Sequence, residues 1–194
     1  MSDDAYETFT LNVPPSEDEI DKFIAIRLLA LQIDPSSFRT TYENAKNLPR
    51  EKHVQRIASH DQVMVIVSHK ATGEWVAMSG VASPKVLAEL DYPLPEVVYE
   101  GRKGSGYLFV SLWVHPEHRR RGLAKRMFDR CIEWVRYHGL GLGTVTEKFI
   151  TNEVYSDNVG RGLYRKLGLI ERCEVKEQDG KRDVVWLSRS LDEL

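Results

Sequence analysis

The chain has 194 residues, 42% hydrophobic and 29% charged, with 27 basic against 29 acidic side chains for a formal net charge of −2. Those figures describe one ordinary globular domain over residues 1–194 with enough apolar material for a core. They exclude a nucleic-acid binder that works through a global positive field. The N-terminus is acidic and lacks an apolar signal-type region, and no apolar run approaches the ~20 residues a bilayer requires. No membrane association is therefore expected, and the location expected is cytoplasmic, with the nucleus open.

Tyr6–Val13 alternates as an edge strand and is stopped by Pro14 and Pro15. Ser16 and Glu19 form a capping-box pattern, after which Ile20, Phe23, Ile24, Leu28 and Leu31 make a helical stripe to about Gln32. Asp34–Tyr42 reads as a loop. A second helix is predicted from near Pro49 to about Ser59, the proline suiting a first turn. Val63–Ser68 and Glu74–Val81 read as a hairpin with Gly73 in its turn. Residues 83–105 carry three prolines and read as a long, largely irregular connection.

Residues 106–114 form an aromatic and β-branched run, predicted as a buried strand that Pro116 ends. His115-Pro-Glu-His-Arg-Arg-Arg-Gly-Leu-Ala124 follows. From Gly122 to residue 137, Leu123, Met127, Ile132, Trp134 and Val135 recur at near-helical spacing. Strand, basic glycine loop and helix in that order make an anion site, because a helix N-terminus presents unpaired N–H groups and a partial positive charge. Gly122 and Ala124 would let a pyrophosphate approach the main chain, and Arg119, Arg120 and Arg121 add positive charge.

Further on, His138–Gly143 reads as a glycine-rich stop, Glu147–Tyr155 as a strand and Asp157–Leu167 as a helix. Ile170–Lys176 and Val184–Ser188 read as a closing hairpin around Gln178–Lys181. Cys131 and Cys173 are the only cysteines and have no metal-ligand or disulfide spacing, so they read as two buried thiols. His115 and His118, three apart in a loop with arginines, read as a solvated pair, and no metal is expected.

The loop Arg119-Arg-Arg-Gly-Leu-Ala124 resembles the pyrophosphate loop of the GNAT superfamily, Gln/Arg-x-x-Gly-x-Gly/Ala, in its required strand–loop–helix context. Asn158 to Leu169 resembles the family's Asn-x-x-Ala-x-x-x-Tyr-x-x-x-Gly-Phe segment. Tyr164 and Gly168 match directly, and Asn158 stands one position late. Ile26–Phe38 resembles a segment of small-molecule GNAT enzymes, a helix followed by an Asp-Pro-x-x-Phe turn that borders the acceptor pocket. The resemblance implies an α/β (α+β) fold: a mixed, mostly antiparallel sheet of six to seven strands with helices on both faces. It implies an acetyl-CoA-dependent N-acetyltransferase in which a primary amine, most simply on a small molecule, attacks directly in a ternary complex.

On that resemblance the cofactor site comprises Leu112, Trp113, Val114, Arg119, Arg120, Arg121, Gly122, Leu123, Ala124, Asn158 and Tyr164. A backbone amide at a break in the fourth strand, near Trp113 or Val114, would stabilise the oxyanion, and Tyr164 would protonate the departing thiolate. Glu147 and Glu153 are the candidate bases; proton loss through ordered water or bulk solvent is an equal alternative. Two rival readings remain: a catalytically silent CoA-binding protein of the same fold, and a basic docking module built on residues 118–126. Many relatives are homodimers, though no self-complementary surface is identifiable here. The acceptor amine and any acyl group other than acetyl stay open.

Overall fold

The computed structural model describes residues 5–99, 101, 104–139, 147–176 and 182–191. Seven strands form one sheet in the order β1-β2-β3-β4-β5-β7-β6, with β1 Tyr6–Thr10, β2 Gln62–His69, β3 Trp75–Ala82, β4 Ser105–Val114, β5 Lys148–Tyr155, β6 Ile170–Val175 and β7 Val184–Ser190. β4 and β5 are parallel, while β1/β2, β5/β7 and β6/β7 are antiparallel. The helices are α1 Glu17–Ile33, α2 Tyr42–Lys46, α3 Arg50–Val54, α4 Pro84–Glu89, α5 Leu123–Tyr137 and α6 Arg161–Lys166. This is the mixed α/β sheet architecture that the sequence implied. No helix among the described residues is long and apolar enough to cross a membrane.

The described residues group into two compact units, one up to Gly80 with Ser111–Cys131, the other Val81–Val110 with the residues from Ile132 onward. In the first, α1 begins with the predicted capping box: Ser16 Oγ accepts from the Glu19 N–H, and Glu19 accepts from the Ser16 N–H at 2.8 Å. Ile20, Phe23, Ile26, Arg27, Ala30 and Leu31 form its buried face. Phe23 and Ile26 share a core with Met64 and Ile66 of β2, Met78 of β3 and Trp113 of β4. Pro49 stands at the N-cap of α3. α2 was not predicted and starts at Tyr42, the last residue of the expected loop; Thr41 nucleates it by accepting from the Asn44 N–H.

The second unit is built on β5 and β7, paired from Phe149↔Ser190 to Tyr155↔Val184. Its core joins Leu108, Phe149, Val184 and Trp186 to Val86 and Leu87 of α4. The expectation of an irregular 83–105 segment is corrected. Ser83 caps α4 through the Val86 N–H with Pro84 in the first turn, and a 3-10 turn covers Glu96–Tyr99. The helix expected over 157–167 is confined to Arg161–Lys166, because Asn158 first closes a turn on Gly160. Lys148 Nζ donates to the carbonyls of Val135, Arg136 and His138 at 2.9, 2.9 and 2.6 Å. A cation thus satisfies the orphan acceptors at the end of α5. The 140–143 part of the glycine-rich stop and the turn at 178–181 lie outside the described residues.

Candidate active site

In β4 the buried run Gly106–Phe109 gives way to half-buried Val110, Ser111 and Leu112 before Trp113 is buried again. Ser111 has φ 59°, a left-handed backbone inside a strand. The strand break therefore falls at Ser111, earlier than the expected Trp113 or Val114. After Val114 the chain passes through the 3-10 turn Pro116–His118. Arg120 (φ 60°) and Gly122 (φ 75°) then turn it into α5. The Arg126 N–H donates to Gly122 O at 3.1 Å, and fully buried Leu123 anchors the first turn. A Cβ at Gly122 would meet nothing within 4 Å, so open space lies before this backbone. Ala124 follows on the helix, half-buried.

The three arginines divide their work unevenly. Arg119 donates through Nε to Val114 O at 2.9 Å and through Nη2 to Asp34 Oδ2. The same Asp34 oxygen accepts from Trp113 Nε1 at 2.7 Å. Asp34 is the C-cap residue of α1, so one carboxylate ties that helix to the end of β4 and to the loop. The aspartate of the Asp-Pro-x-x-Phe turn, a segment expected to border the acceptor pocket, is engaged with the loop. Arg121 Nη2 donates to Glu117 O at 3.3 Å. Arg120 is exposed and makes no hydrogen bond or ion pair among the described residues.

His115 and His118 are not a merely solvated pair. His118 Nδ1 shares a 2.8 Å hydrogen bond with Tyr6 OH, and His115 Nδ1 accepts from the Glu117 N–H. Burial, then the neighbouring His115, His69 and Arg121, hold the His118 pKa below its ordinary value. Donor atoms of His115, Glu117 and His118 lie within 4.8 Å of one another.

In the second unit, Tyr164 sits on α6. Bidentate contacts from Arg161 to Glu171 at 2.6 Å each fasten that helix to β6, and Arg189 Nη1 caps its end at Leu167 O, 3.0 Å away. Burial pushes the Tyr164 hydroxyl up to about 12, opposed by the Asn152 side chain. Asn152 was not singled out from the sequence. It is 5% exposed on β5, donates through Nδ2 to Phe109 O at 2.9 Å, and leaves its buried Oδ1 without a partner. Two polar residues, Thr151 and Asn152, inside an otherwise buried strand were the available signal. The expected Asn158 spends its Oδ1 on the Gly160 N–H at 2.7 Å.

Of the two candidate bases, Glu147 is exposed just before β5. Glu153 is half-buried and accepts from Tyr92 OH at 2.6 Å, a phenol the sequence reading did not single out. Cys131 is fully buried, whereas Cys173 is only half-buried, which corrects the reading of both as core thiols.

The sheet order, the parallel β4–β5 pair and the glycine turn into α5 define the GNAT fold. Residues 87–170 match the family model described as an acetyltransferase (GNAT) domain. Solved structures agree over nearly the whole chain. The GNAT domain of PAT from S. lividans is 13% identical with a TM-score of 0.64, covering 95% of this chain and 90% of that one. NAA60 of Arabidopsis thaliana, solved with acetyl-CoA, is 12% identical with a TM-score of 0.61, covering 96% and 99%. An N-acetyltransferase from Staphylococcus aureus Mu50 is 11% identical with a TM-score of 0.62, covering 97% and 99%. No curated protein matches the chain at a significant level. The chain thus has the GNAT fold, and its residues 87–170 match the GNAT acetyltransferase domain model.

Proposed function

We propose that the protein is an acetyl-CoA-dependent N-acetyltransferase acting on a primary amine, most simply on a small molecule, by direct attack without an acyl-enzyme. The observation that carries this reading is the turn at Gly122: left-handed backbone with open space before it, leading into the N-terminus of the 15-residue α5. Such a turn offers bare N–H groups to a diphosphate at the positive end of a helix. NAA60, of the same fold, was solved with acetyl-CoA.

In this reading Arg119, Arg120, Arg121, Gly122, Leu123 and Ala124 form the diphosphate loop. The main chain of Leu112, Trp113 and Val114 receives the rest of the cofactor. The left-handed Ser111 marks the distortion of β4 at which a backbone N–H would serve the oxyanion. Asn158 is assigned to the pantetheine and Tyr164 to the departing sulfur. A phenol near 12 keeps its proton at neutral pH, so it hydrogen-bonds the developing thiolate. The base role is assigned to Glu153, half-buried and held by Tyr92, in preference to exposed Glu147.

Calorimetric titration with acetyl-CoA, followed by turnover against an amine panel, tests the reading. Gly122→Val should abolish measurable cofactor binding, since its side chain fills the space before the amides and strains the left-handed backbone by about 1–3 kcal/mol. Unchanged binding in that variant, or no heat from wild type, would refute it.

A further inference from the structure

The chain leaving β4 enters the 3-10 turn Pro116–His118 with its proline in the first turn, and the His118 N–H donates to His115 O at 2.9 Å. Three residues complete a turn of this kind, so side chains three apart stand on one side of it. His115 and His118, both half-buried, accordingly bring their ring centroids to 5.6 Å. Glu117 joins them: one ligand-capable atom from each of the three residues lies within 4.8 Å of the other two. The spacing of the two histidines gave no reason to expect a metal; the folded turn supplies the third donor.

Two imidazoles and one carboxylate suit zinc, whereas magnesium and calcium take oxygen ligands. Donor atoms held at about 2.0–2.1 Å by a tetrahedral zinc stand about 3.3 Å apart. The set must therefore draw in from 4.8 Å by about 1.5 Å at most. Glu117 is exposed, so its side chain can turn to make that adjustment. His118 is already held. Its Nδ1 meets Tyr6 OH at 2.8 Å, and the buried Tyr6 ring stands edge-on to it at 5.7 Å. His69 packs against the same phenol at 5.5 Å and lies 5.9 Å from His118, restraining the ring further. With Nδ1–H donating to the phenol oxygen, Nε2 of His118 carries the lone pair, and an outer hydrogen bond of that kind orients a metal-bound imidazole. His115 Nδ1 accepts from the Glu117 N–H at 3.4 Å, a long bond that the ring can exchange for a metal at little cost. The neighbouring cations are engaged in building the loop: Arg119 with Asp34 and Val114 O, Arg121 with Glu117 O.

We propose that His115, Glu117 and His118 form a zinc-binding site, with water completing the coordination. The site needs no cofactor and is independent of the acetyl-transfer reading. Bound metal ties the two ends of the 3-10 turn together just before Arg119, so its effect on the protein is to stiffen the entry to the loop.

The test is calorimetry and thermal unfolding of the chelator-treated full chain with zinc chloride, without coenzyme A. Wild type should take up one zinc per chain, and zinc at ten times its Kd should raise Tm by about 3–6 °C. Magnesium chloride at the same concentration should leave Tm unchanged. Glu117→Gln, at an exposed position, should fold as wild type does and weaken zinc binding at least tenfold, and His118→Gln should abolish it. Cys173→Ser removes the half-buried thiol, the competing soft ligand, and should keep the wild-type affinity. Wild type showing neither heat of binding nor a rise in Tm would overturn the proposal. So would an affinity kept by Glu117→Gln, an affinity lost in Cys173→Ser, or an equal rise with magnesium.

Discussion

Replacing Asp34 by alanine should separate the scaffold of the loop from its chemistry. The carboxylate accepts from Trp113 Nε1 at 2.7 Å and from Arg119 Nη2 through the same oxygen. Trp113 is 4% exposed, so the truncation leaves a buried indole N–H unsatisfied, at a cost of about 1–3 kcal/mol. The Arg119 side chain is 44% exposed, and solvent screening limits that ion pair to about 0–1 kcal/mol. The α1 C-cap bond from the Asp34 N–H to Ala30 O survives, because it belongs to the backbone. The total, about 1–4 kcal/mol, corresponds to a fall in Tm of about 2–16 °C for a chain of this size. Asp34→Asn keeps an acceptor for Trp113 and loses the charge for Arg119, so it should cost about 1 kcal/mol. Acetyl-CoA affinity should fall about tenfold in the alanine variant, as Arg119 loses one of its two anchors. Circular-dichroism melts and calorimetry read both effects. An alanine variant melting within about 1 °C of wild type, or an asparagine variant equally damaged, would refute the reasoning.

Tyr164→Phe should lower kcat by about 100-fold with little change in the KM for acetyl-CoA, since general-acid assistance contributes about 10²–10⁴ and a phenol near 12 acts at the weaker end; steady-state kinetics decide it, and a loss below threefold would remove Tyr164 from the chemistry. Glu171, held by Arg161 and Arg165, has its pKa lowered from 4.5 to about 2. A depressed carboxylate pKa stabilises the fold above the unfolded value, and that contribution disappears as pH falls from 4.5 towards 2. After allowance for solvent screening it is worth about 1 kcal/mol, so denaturant titrations should show Glu171→Gln closing its gap to wild type over that window. Burial pushes Cys131 up to about 12, with Ser79 Oγ 3.6 Å from its sulfur. A thiol reagent should therefore label Cys173 alone in the native protein and both cysteines in denaturant; rapid native labelling of Cys131 would contradict its burial.

Where local chemistry and tertiary packing agreed, the elements were readable from the residues. The Ser16–Glu19 capping box, the Pro49 helix start, the Gly73 hairpin and the Gly122 turn each need only neighbouring residues to specify them. The misses arise where a short signal competes with a noisy background. Ser83-Pro84 is an N-cap followed by a first-turn proline, yet the prolines at 93 and 95 and the acidic residues around them obscured it. The helix expected over 157–167 was overextended because Asn158 closes a turn on Gly160, a competition common for asparagine. Asp34 and Asn152 act across 79 and 43 residues of sequence respectively, distances at which periodicity carries no information. Arg27 was visible as a charged residue interrupting an apolar helical stripe, but the burial of its Nε without a partner is a tertiary fact.

The disposition of charge around the loop also bears on how an anion is recognised there. Lys125 is paired with Asp129 at 2.6 Å, Arg126 donates to Tyr6 O at 3.3 Å, and Arg119 and Arg121 hold Asp34, Val114 O and Glu117 O. A basic run that looks like five or six free charges in sequence is thus largely engaged in building the turn, with Arg120 the cation that projects from it. A docking surface for a polyanion needs many uncommitted charges and shows a steep salt dependence. A site that works through backbone N–H groups and one arginine should show a shallow one, close to a single counterion released per ligand. The slope of log Kd for coenzyme A against log salt therefore discriminates between the two recognition modes without any assay of catalysis, and a slope approaching that of a five-charge contact would favour the docking surface over the diphosphate turn.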